Sequence, residues 1–235
     1  MAANNAGLRL DGVSASYCRD QRVLVIQDVS LAVRPGEVVG LVGRNGSGKT
    51  STLSTVMRRL YIANGRVRVG ETDVTDLAPA QIVRAGVRSL PQGGRVFTEM
   101  SVLDNLRTAA VSFGLRDRDA VTREALSWFS ELGKRPNLRA GLLSGGQRQM
   151  LSLAMVLAPP VVRPPNHQLV VLLDEPSGSL DPEHRSILTT VLHRMRDELR
   201  AAILLAEEDI GFATRVCGRF YQFFEPGRVR MMDSS

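Results

Sequence analysis

One stretch of the sequence, Gly43-Arg44-Asn45-Gly46-Ser47-Gly48-Lys49-Thr50, matches the pattern G-x-x-x-x-G-K-[ST]. A short apolar strand is predicted directly before it at 37–42, and a helix directly after it from about Lys49 to Leu60. Glycines let several backbone N–H groups turn towards phosphate oxygens, and the helix N-terminus adds a favourable dipole. Lys49 is then placed to reach the β- and γ-phosphates of a nucleotide, and Thr50 to ligate Mg²⁺. The residues expected to hold the nucleotide here are Gly43, Asn45, Gly46, Ser47, Gly48, Lys49, Thr50 and Ser51.

The segments around this loop alternate between strands and helices. Alternating apolar residues between positions 8 and 33 predict antiparallel strands. Apolar runs at 66–69, 87–90, 169–173 and 202–206 predict further strands, the last two fully buried. Helical spacing predicts a separate helical lobe at about 98–143. The fold expected is α/β, a P-loop NTPase core with a mostly parallel sheet, an antiparallel N-terminal β subdomain and an inserted helical lobe, all in one domain over 8–235.

Bulk composition excludes several classes of protein. The 235 residues contain 43% apolar and 23% charged residues, and no run approaches the roughly 18 apolar residues of a membrane span. The N-terminus lacks the pattern of a secretory signal, which predicts a cytosolic protein. The net charge is +6, but the 30 basic residues are spread along the chain, so we expect no nucleic-acid partner. Cys18 and Cys217 are too far apart in sequence to predict a zinc site or a disulfide framework.

Two carboxylates end the apolar strand near residue 173. Asp174 is a candidate for holding the water shell of Mg²⁺, and Glu175 is placed to activate an attacking water as general base. Many strands end in acidic residues, so the pattern is weak alone. Together with the phosphate loop it predicts nucleotide hydrolysis.

A second anion site is predicted at Leu143-Ser144-Gly145-Gly146-Gln147. Helix formation disfavours glycine, so the two glycines at the start of this helix need another explanation. A Ser-Gly-Gly helix start exposes backbone N–H groups to an anion. Two phosphate sites for one nucleotide suggest that Ser144, Gly145, Gly146 and Gln147 serve the nucleotide of a neighbouring subunit.

The phosphate loop, the Leu-Ser-Gly-Gly-Gln motif and the Asp-Glu strand end, in this order, resemble the ATP-binding subunits of ABC transporters over nearly the whole chain. The resemblance implies that Tyr17 stacks on adenine and that Gln92 senses Mg²⁺ and the γ-phosphate. It also implies a dimer-contact loop at 177–181 that includes Asp181, with Ser179 where the family usually has glycine. The family's subunits pair head to tail around ATP and move attached membrane permease subunits, which in importers receive cargo from a substrate-binding protein. The implied location is the cytoplasmic side of the cell membrane.

A narrower resemblance concerns the segments 90–97 and 100–106. The sequence Leu-Pro-Gln-Gly-Gly-Arg-Val-Phe, followed by Met-Ser-Val-Leu-Asp-Asn-Leu, is similar to ATPases of branched-chain amino acid and urea importers. This resemblance implies one of these two substrate classes.

The chain departs from the family pattern in three places. Glu208 occupies the position of a histidine that usually hydrogen-bonds the γ-phosphate. A carboxylate about 5 Å from a phosphate charge costs roughly 3 kcal/mol at an effective dielectric near 20, so Glu208 points away, is protonated, or weakens turnover. The spacing between Gln147 and Asp174 is longer than usual, with the surplus expected in a surface loop at 159–167. The helix after Gln147 lacks the arginine usual in its middle.

Two other functions compete with that of a transport ATPase. In the first, the site is degenerate and a partner ATPase hydrolyses; retention of Glu175 argues against this. In the second, the chain is a soluble ABC-type ATPase acting on DNA or ribosomes, which would need a coiled coil or two ATPase domains. The sequence shows neither.

Overall fold

The computed structural model describes residues 6–20, 22–112, 117–157, 168–178 and 180–232. Ser179 and the loop at 159–167 lie outside the described residues. The strands are, in chain order, β1 (Leu8–Ser16), β2 (Ile26–Val33), β3 (Glu37–Val42), β4 (Tyr61–Val69), β5 (Thr72–Asp73), β6 (Val87–Leu90), β7 (Val170–Asp174), β8 (Ala202–Glu207), β9 (Arg219–Glu225) and β10 (Arg228–Met232). The helices are α1 (Lys49–Val56), α2 (Pro79–Arg84), α3 (Val102–Ser112), α4 (Arg118–Trp128), α5 (Ser130–Gly133), α6 (Gly145–Leu157), α7 (Pro182–Asp197) and α8 (Ile210–Val216).

The chain divides into two compact units. The first comprises Met1–Ser89, His167–Glu175 and Leu192–Ser235, and the second comprises Leu90–Asn166 and Pro176–Val191. The single domain over 8–235 and the lobe boundaries at 98–143 stay predictions. Among the described residues, no helix has the length and apolar character needed to cross a membrane.

A six-stranded, mostly parallel sheet forms the centre of the first unit. Its strand order is β10-β9-β3-β8-β7-β6, and β3 pairs in parallel with both β8 and β9. Every residue of β7 and β8 is buried, as expected for strands covered on both faces. The register pairs Val42 with Glu207 and Asp174 with Ala206. Parallel pairing therefore brings the residues that follow β3, β7 and β8 to the same edge of the sheet.

An antiparallel sheet of order β2-β1-β4-β5 contributes the N-terminal part of the first unit. Its inward positions are aliphatic, and Leu8, Leu10 and Val13 are almost fully buried. They join one apolar cluster with residues of the central sheet and α1. The α/β core and the antiparallel N-terminal subdomain predicted from the sequence are confirmed.

Helices dominate the second unit. Helix α3 packs against α4 and α6, and a bridge between Ser101 and Arg139 joins the two ends of the segment that contains α3 to α5. Asn105 is fully buried, and its amide group donates to the carbonyl oxygens of Phe97 and Ser101 at 3.0 and 2.9 Å. These bonds fix the start of α3 relative to the segment that follows Gln92.

The prediction of a helix from Lys49 to Leu60 was wrong at its C-terminal end. Helix α1 stops at Val56, and Arg58 adopts a left-handed conformation with φ of 56°. Its N–H donates to the Thr55 carbonyl at 2.9 Å, which closes the last turn. The chain then enters β4 at Tyr61, earlier than the strand predicted from residue 66.

Candidate active site

The phosphate loop connects β3 to α1 in the first unit. Gly48 directly precedes α1 with φ of 119°, and a Cβ atom there would lie 2.9 Å from the Phe223 ring. Both the backbone conformation and the close packing therefore require glycine. Within the loop, the Ser47 hydroxyl is buried and makes no hydrogen bond to any described residue. An orphaned buried hydroxyl fits a ligand oxygen, because buried polar groups are normally paired.

Lys49 is the buried cation of this loop, with 4% of its surface exposed. Its ammonium donates to the carbonyl oxygens of Gly43 at 2.8 Å and Arg44 at 3.2 Å. The carboxylate of Glu208 lies 3.6 Å away. The Glu208 side chain therefore points towards the phosphate loop, so the alternative in which it points away was wrong.

Thr50 and Asp174 meet at the end of β7. The Thr50 hydroxyl donates to the Asp174 carboxylate at 3.0 Å. Burial raises the pKa of Asp174 above its usual value, while the bond from Thr50 and the charge of Lys49 act in the opposite direction. Mg²⁺ prefers oxygen ligands and commonly uses one or two carboxylates with the substrate's phosphates. A hydroxyl and a carboxylate beside the phosphate loop therefore fit a nucleotide-bound Mg²⁺.

Glu175 follows Asp174 in a left-handed backbone conformation, with φ of 47°. Its N–H donates to the Ala206 carbonyl on β8 at 2.9 Å, which holds the residue in place. A non-glycine residue with positive φ is uncommon, and such strain concentrates at functional sites. The half-buried Glu175 is adjacent in sequence to Asp174 at the edge that carries Lys49.

Tyr17 lies at the rim of the same site. Its hydroxyl is 3.2 Å from the hydroxyl of Ser51 in the first turns of α1. The side chain is 62% exposed, so more than half of its surface is open to solvent. A large exposed aromatic beside a phosphate loop can stack on a flat apolar ligand group.

The second unit holds a separate group of predicted site residues. The N–H of Gln147 donates to the Ser144 hydroxyl at 3.2 Å, and the Ser144 N–H donates to the Gln147 side chain at 3.1 Å. This reciprocal cap fixes the start of α6. Apart from its chain neighbours and the backbone of its own helix, no atom of the described residues lies within 4 Å of a Cβ position on Gly145, so the helix start is open on that side. Gln92 is exposed in the turn that follows β6, in the second unit.

Asp181 belongs to this second group and caps α7. Its carboxylate accepts from the backbone and the ring of His184, which holds the pKa of Asp181 below its usual value. The sequence did not single out His184. The one available signal was a histidine three residues after a helix-capping aspartate, a spacing at which the two side chains meet.

A family model described as "ABC transporter" matches residues 26–178. The chain belongs to the ABC transporter family. It is an ATP-binding cassette and an ATPase of this family, and its nucleotide is ATP.

Curated members of the ABC family with similar sequences include transport and import ATP-binding proteins. A probable branched-chain amino acid transport ATP-binding protein, LivF of Archaeoglobus fulgidus, is 32% identical and aligns over 94% of this chain and 89% of its own length. BraG of Pseudomonas aeruginosa, a high-affinity branched-chain amino acid transport ATP-binding protein, is 31% identical over 97% of this chain and 92% of its own. The arabinose import protein AraG of Pseudomonas savastanoi is 32% identical, but the alignment covers 44% of AraG.

Solved structures of ABC cassettes share the fold. An ATP-binding subunit of an ABC transporter superimposes with a TM-score of 0.79 at 25% identity, over 94% of this chain and 87% of that one. A cassette solved as a dimer in a post-hydrolysis state with ADP and Pi has a TM-score of 0.79 at 20% identity, over 97% of this chain and 100% of that one. These superpositions agree with the mixed sheet and helices described above.

Proposed function

We propose that this ABC protein is the ATP-hydrolysing subunit of an importer. It pairs head to tail with a second ATP-binding subunit on the cytoplasmic side of the membrane. The observation that carries the proposal is the arrangement at one edge of the central sheet, where Lys49, Thr50 and Asp174 lie together and Glu175 follows directly. A loop for phosphates, oxygen ligands for a metal and a carboxylate base are the components that nucleotide hydrolysis needs.

Nucleotide binding uses the first unit. The ring of Tyr17 stacks on adenine, and the N–H groups of the loop from Gly43 to Ser51 hold the phosphates. Lys49 leaves its carbonyl partners and neutralises the β- and γ-phosphates. Thr50 and Asp174 of this unit would hold Mg²⁺, which would supply positive charge to the phosphates.

The chemical step uses Glu175. Its carboxylate accepts a proton from the attacking water and so produces a better nucleophile for the γ-phosphate. The backbone bond from Glu175 to Ala206 fixes the start of this side chain, which limits the positions that the base can adopt. Lys49 stabilises the charge that develops on the transferred phosphoryl group.

The second unit serves the nucleotide of the paired subunit. The reciprocal cap between Ser144 and Gln147 fixes the start of α6, and the first-turn N–H groups of Gly145 and Gly146 bind the anion. Asp181 lies in the loop that contacts the opposing subunit. ATP bound between the two chains then stabilises their dimer. Hydrolysis releases the two chains and moves the attached permease subunits.

We infer the substrate class from sequence similarity. The segments at 90–97 and 100–106, and the likeness to LivF and BraG, favour a branched-chain amino acid or urea importer whose cargo is delivered by a substrate-binding protein. The likeness to arabinose import proteins makes the sugar the appropriate competitor in a test. Reconstitution with the permease and binding protein should give ATPase activity stimulated by leucine or urea. Stimulation by arabinose alone would contradict the assignment.

Hydrolysis is tested by comparing wild type, Glu175→Gln and the control Glu71→Gln, an exposed carboxylate in the turn after β4. Loss of a general base costs a factor of about 10²–10⁴, so Glu175→Gln should hydrolyse Mg²⁺-ATP at least about 100-fold more slowly, while Glu71→Gln matches wild type. Equal rates in all three would remove Glu175 from the mechanism.

The contact between Lys49 and Glu208 favours one second candidate, a degenerate subunit whose partner hydrolyses ATP. Glu208→His separates the two cases. If wild type binds ATP without turnover and Glu208→His restores turnover, the subunit is degenerate. If wild type turns over ATP, the carboxylate is tolerated and the enzymatic role stands.

A further inference from the structure

His184 is a buried side chain in the first turn of α7, with 8% of its surface exposed. Its Nδ1 lies 2.9 and 2.8 Å from the two carboxylate oxygens of Asp181. Because an ionised carboxylate only accepts, Nδ1 carries the proton and donates. The backbone N–H of His184 also donates to the Asp181 carboxylate, at 2.9 Å. One residue therefore holds Asp181 through two separate groups.

The imidazole ring also packs against the first turn of α6. A Cβ atom built on Gly146 would lie 2.9 Å from both Cγ and Nδ1 of His184, closer than real Cβ atoms approach such atoms. The ring is thus in direct contact with the backbone of the Ser144–Gln147 segment. A glycine at 146 is needed for this contact.

Helix α5 places a carboxylate near the other side of the ring. The Nε2 atom is buried without a hydrogen bond to any described residue, and the Glu131 carboxylate lies 3.8 Å from it. Groups from α5, from the α7 cap and from the backbone of α6 therefore lie close to one imidazole. Such enclosure restricts the ring to a single orientation, because packing and the bond to Asp181 act together.

We propose that His184 is a positioning residue that joins Asp181 to the first turn of α6. Asp181 and the segment Ser144–Gly146 then move together. The inference rests on the proposed function, in which these two segments face the nucleotide and the dimer-contact loop of the paired subunit. His184 itself touches no nucleotide in this arrangement. It acts by holding Asp181 and the Ser144–Gly146 segment in a fixed relative position, so that both can contact the paired subunit at once.

The consequence is a separation between ATP binding and ATP-driven pairing. The phosphate loop and Tyr17 belong to the first unit, so one chain should bind ATP whether or not His184 is present. Closure of the pair requires both segments of the second unit at once, and loss of their link adds a cost to that step alone.

Two substitutions test this separation. His184→Leu keeps an apolar body of similar size but removes the donor. His184→Asn places an amide N–H close to the position of Nδ1 and should retain the bond to Asp181. His193→Leu, on the same helix, is the control. Each variant is assayed for kcat, for the Kd of ATP and for the melting temperature. ATP-dependent dimer formation is measured separately, by size-exclusion chromatography, with each substitution combined with Glu175→Gln.

His184→Leu should lower kcat by about tenfold and reduce the dimer fraction, the loss expected for one charge-assisted hydrogen bond. The Kd of ATP for a single chain should stay within about twofold of wild type, a change too small to represent a lost interaction. His184→Asn should recover most of the kcat, and His193→Leu should behave as wild type.

Wild-type kcat and pairing in His184→Leu would overturn the proposal. Equal losses in His184→Leu and His184→Asn, in step with a fall in melting temperature, would also overturn it, because they would show a packing role only. A wild-type chain that binds ATP and pairs but does not hydrolyse would instead refute the enzymatic role. The positioning role of His184 is then decided by the pairing assay alone.

Discussion

Replacement of Glu208 by glutamine removes one negative charge from beside the phosphate loop and keeps the shape of the side chain. In the structure the Glu208 carboxylate lies 3.6 Å from the Lys49 ammonium. An incoming nucleotide meets one of two costs. Either the carboxylate stays and repels the phosphates, or it swings away and Lys49 loses an attractive partner. Glu208→Gln removes both costs, so we expect tighter binding of ATP.

The size of the effect follows from the distance. Two unit charges 3.6 Å apart interact by about 1 kcal/mol in bulk water and by about 4–5 kcal/mol at an effective dielectric of 20. The Glu208 side chain is 41% exposed, so solvent screening brings the value towards the lower limit. A difference of about 1–2 kcal/mol corresponds to a decrease in Kd of about 5- to 30-fold.

The assay is calorimetric binding of ATP and ADP, with Mg²⁺, to Glu175→Gln and to Glu175→Gln/Glu208→Gln. Glu71→Gln is the control for a simple change of net charge. If the lost contact with Lys49 dominates, the affinities for ATP and ADP should increase equally. If repulsion of the γ-phosphate dominates, the affinity for ATP should increase more. Salt should reduce the gain, because added ions screen a partly exposed pair. An unchanged or higher Kd for ATP in Glu208→Gln would refute the reasoning.

Three further outcomes are expected from the buried groups of the first unit. Burial raises the pKa of Asp174, so the contribution of this carboxyl group to folding stability is favourable below its ordinary pKa and is lost as pH rises through the raised value. At neutral pH, Asp174→Asn should therefore increase the melting temperature of the nucleotide-free protein by about 2–4 °C. The same substitution should abolish Mg²⁺-dependent hydrolysis. Gly48→Ala should cost about 2 kcal/mol of unfolding free energy in urea. Gly46 also has positive φ, but apart from its chain neighbours no atom in the described part of the chain lies within 4 Å of its Cβ position, so Gly46→Ala should cost only about 1 kcal/mol. Equal costs would contradict the packing argument. Burial raises the pKa of Cys217 to about 12, so a thiol reagent at pH 8 should label only the exposed Cys18 in the native protein and both after denaturation.

Strands β7 and β8 of the central sheet were predictable because they are defined by composition alone. The runs at 169–173 and 202–206 are apolar at every position, and β7 and β8 are buried at every position. The phosphate loop was equally predictable, since its glycines and Lys49 occupy fixed positions between a strand and a helix. In both cases the information is local in sequence.

The features that the sequence did not predict depend on contacts between distant segments or on weak local signals. Helix α1 stops at Val56, and the chain turns at Arg58 in a left-handed conformation, where a glycine would normally mark the end of a helix. Strand β9 contains both polar and aromatic residues, so its apolar pattern is incomplete. His184 meets Gly146 and Glu131 only through tertiary packing of three helices. No periodicity in the sequence indicates such a meeting.

The position of Glu208 follows from strand register rather than from its own chemistry. Strands β3 and β8 pair in parallel with Val42 opposite Glu207, so the next residues along each strand, Gly43 and Glu208, leave the sheet side by side. Any side chain at 208 therefore starts next to the phosphate loop. Its charge decides whether Lys49 meets an attractive partner before ATP arrives and whether the γ-phosphate meets a repulsive one afterwards. Nucleotide affinity can thus be adjusted at residue 208 without altering the base at 175, because the two residues leave different strands of the sheet.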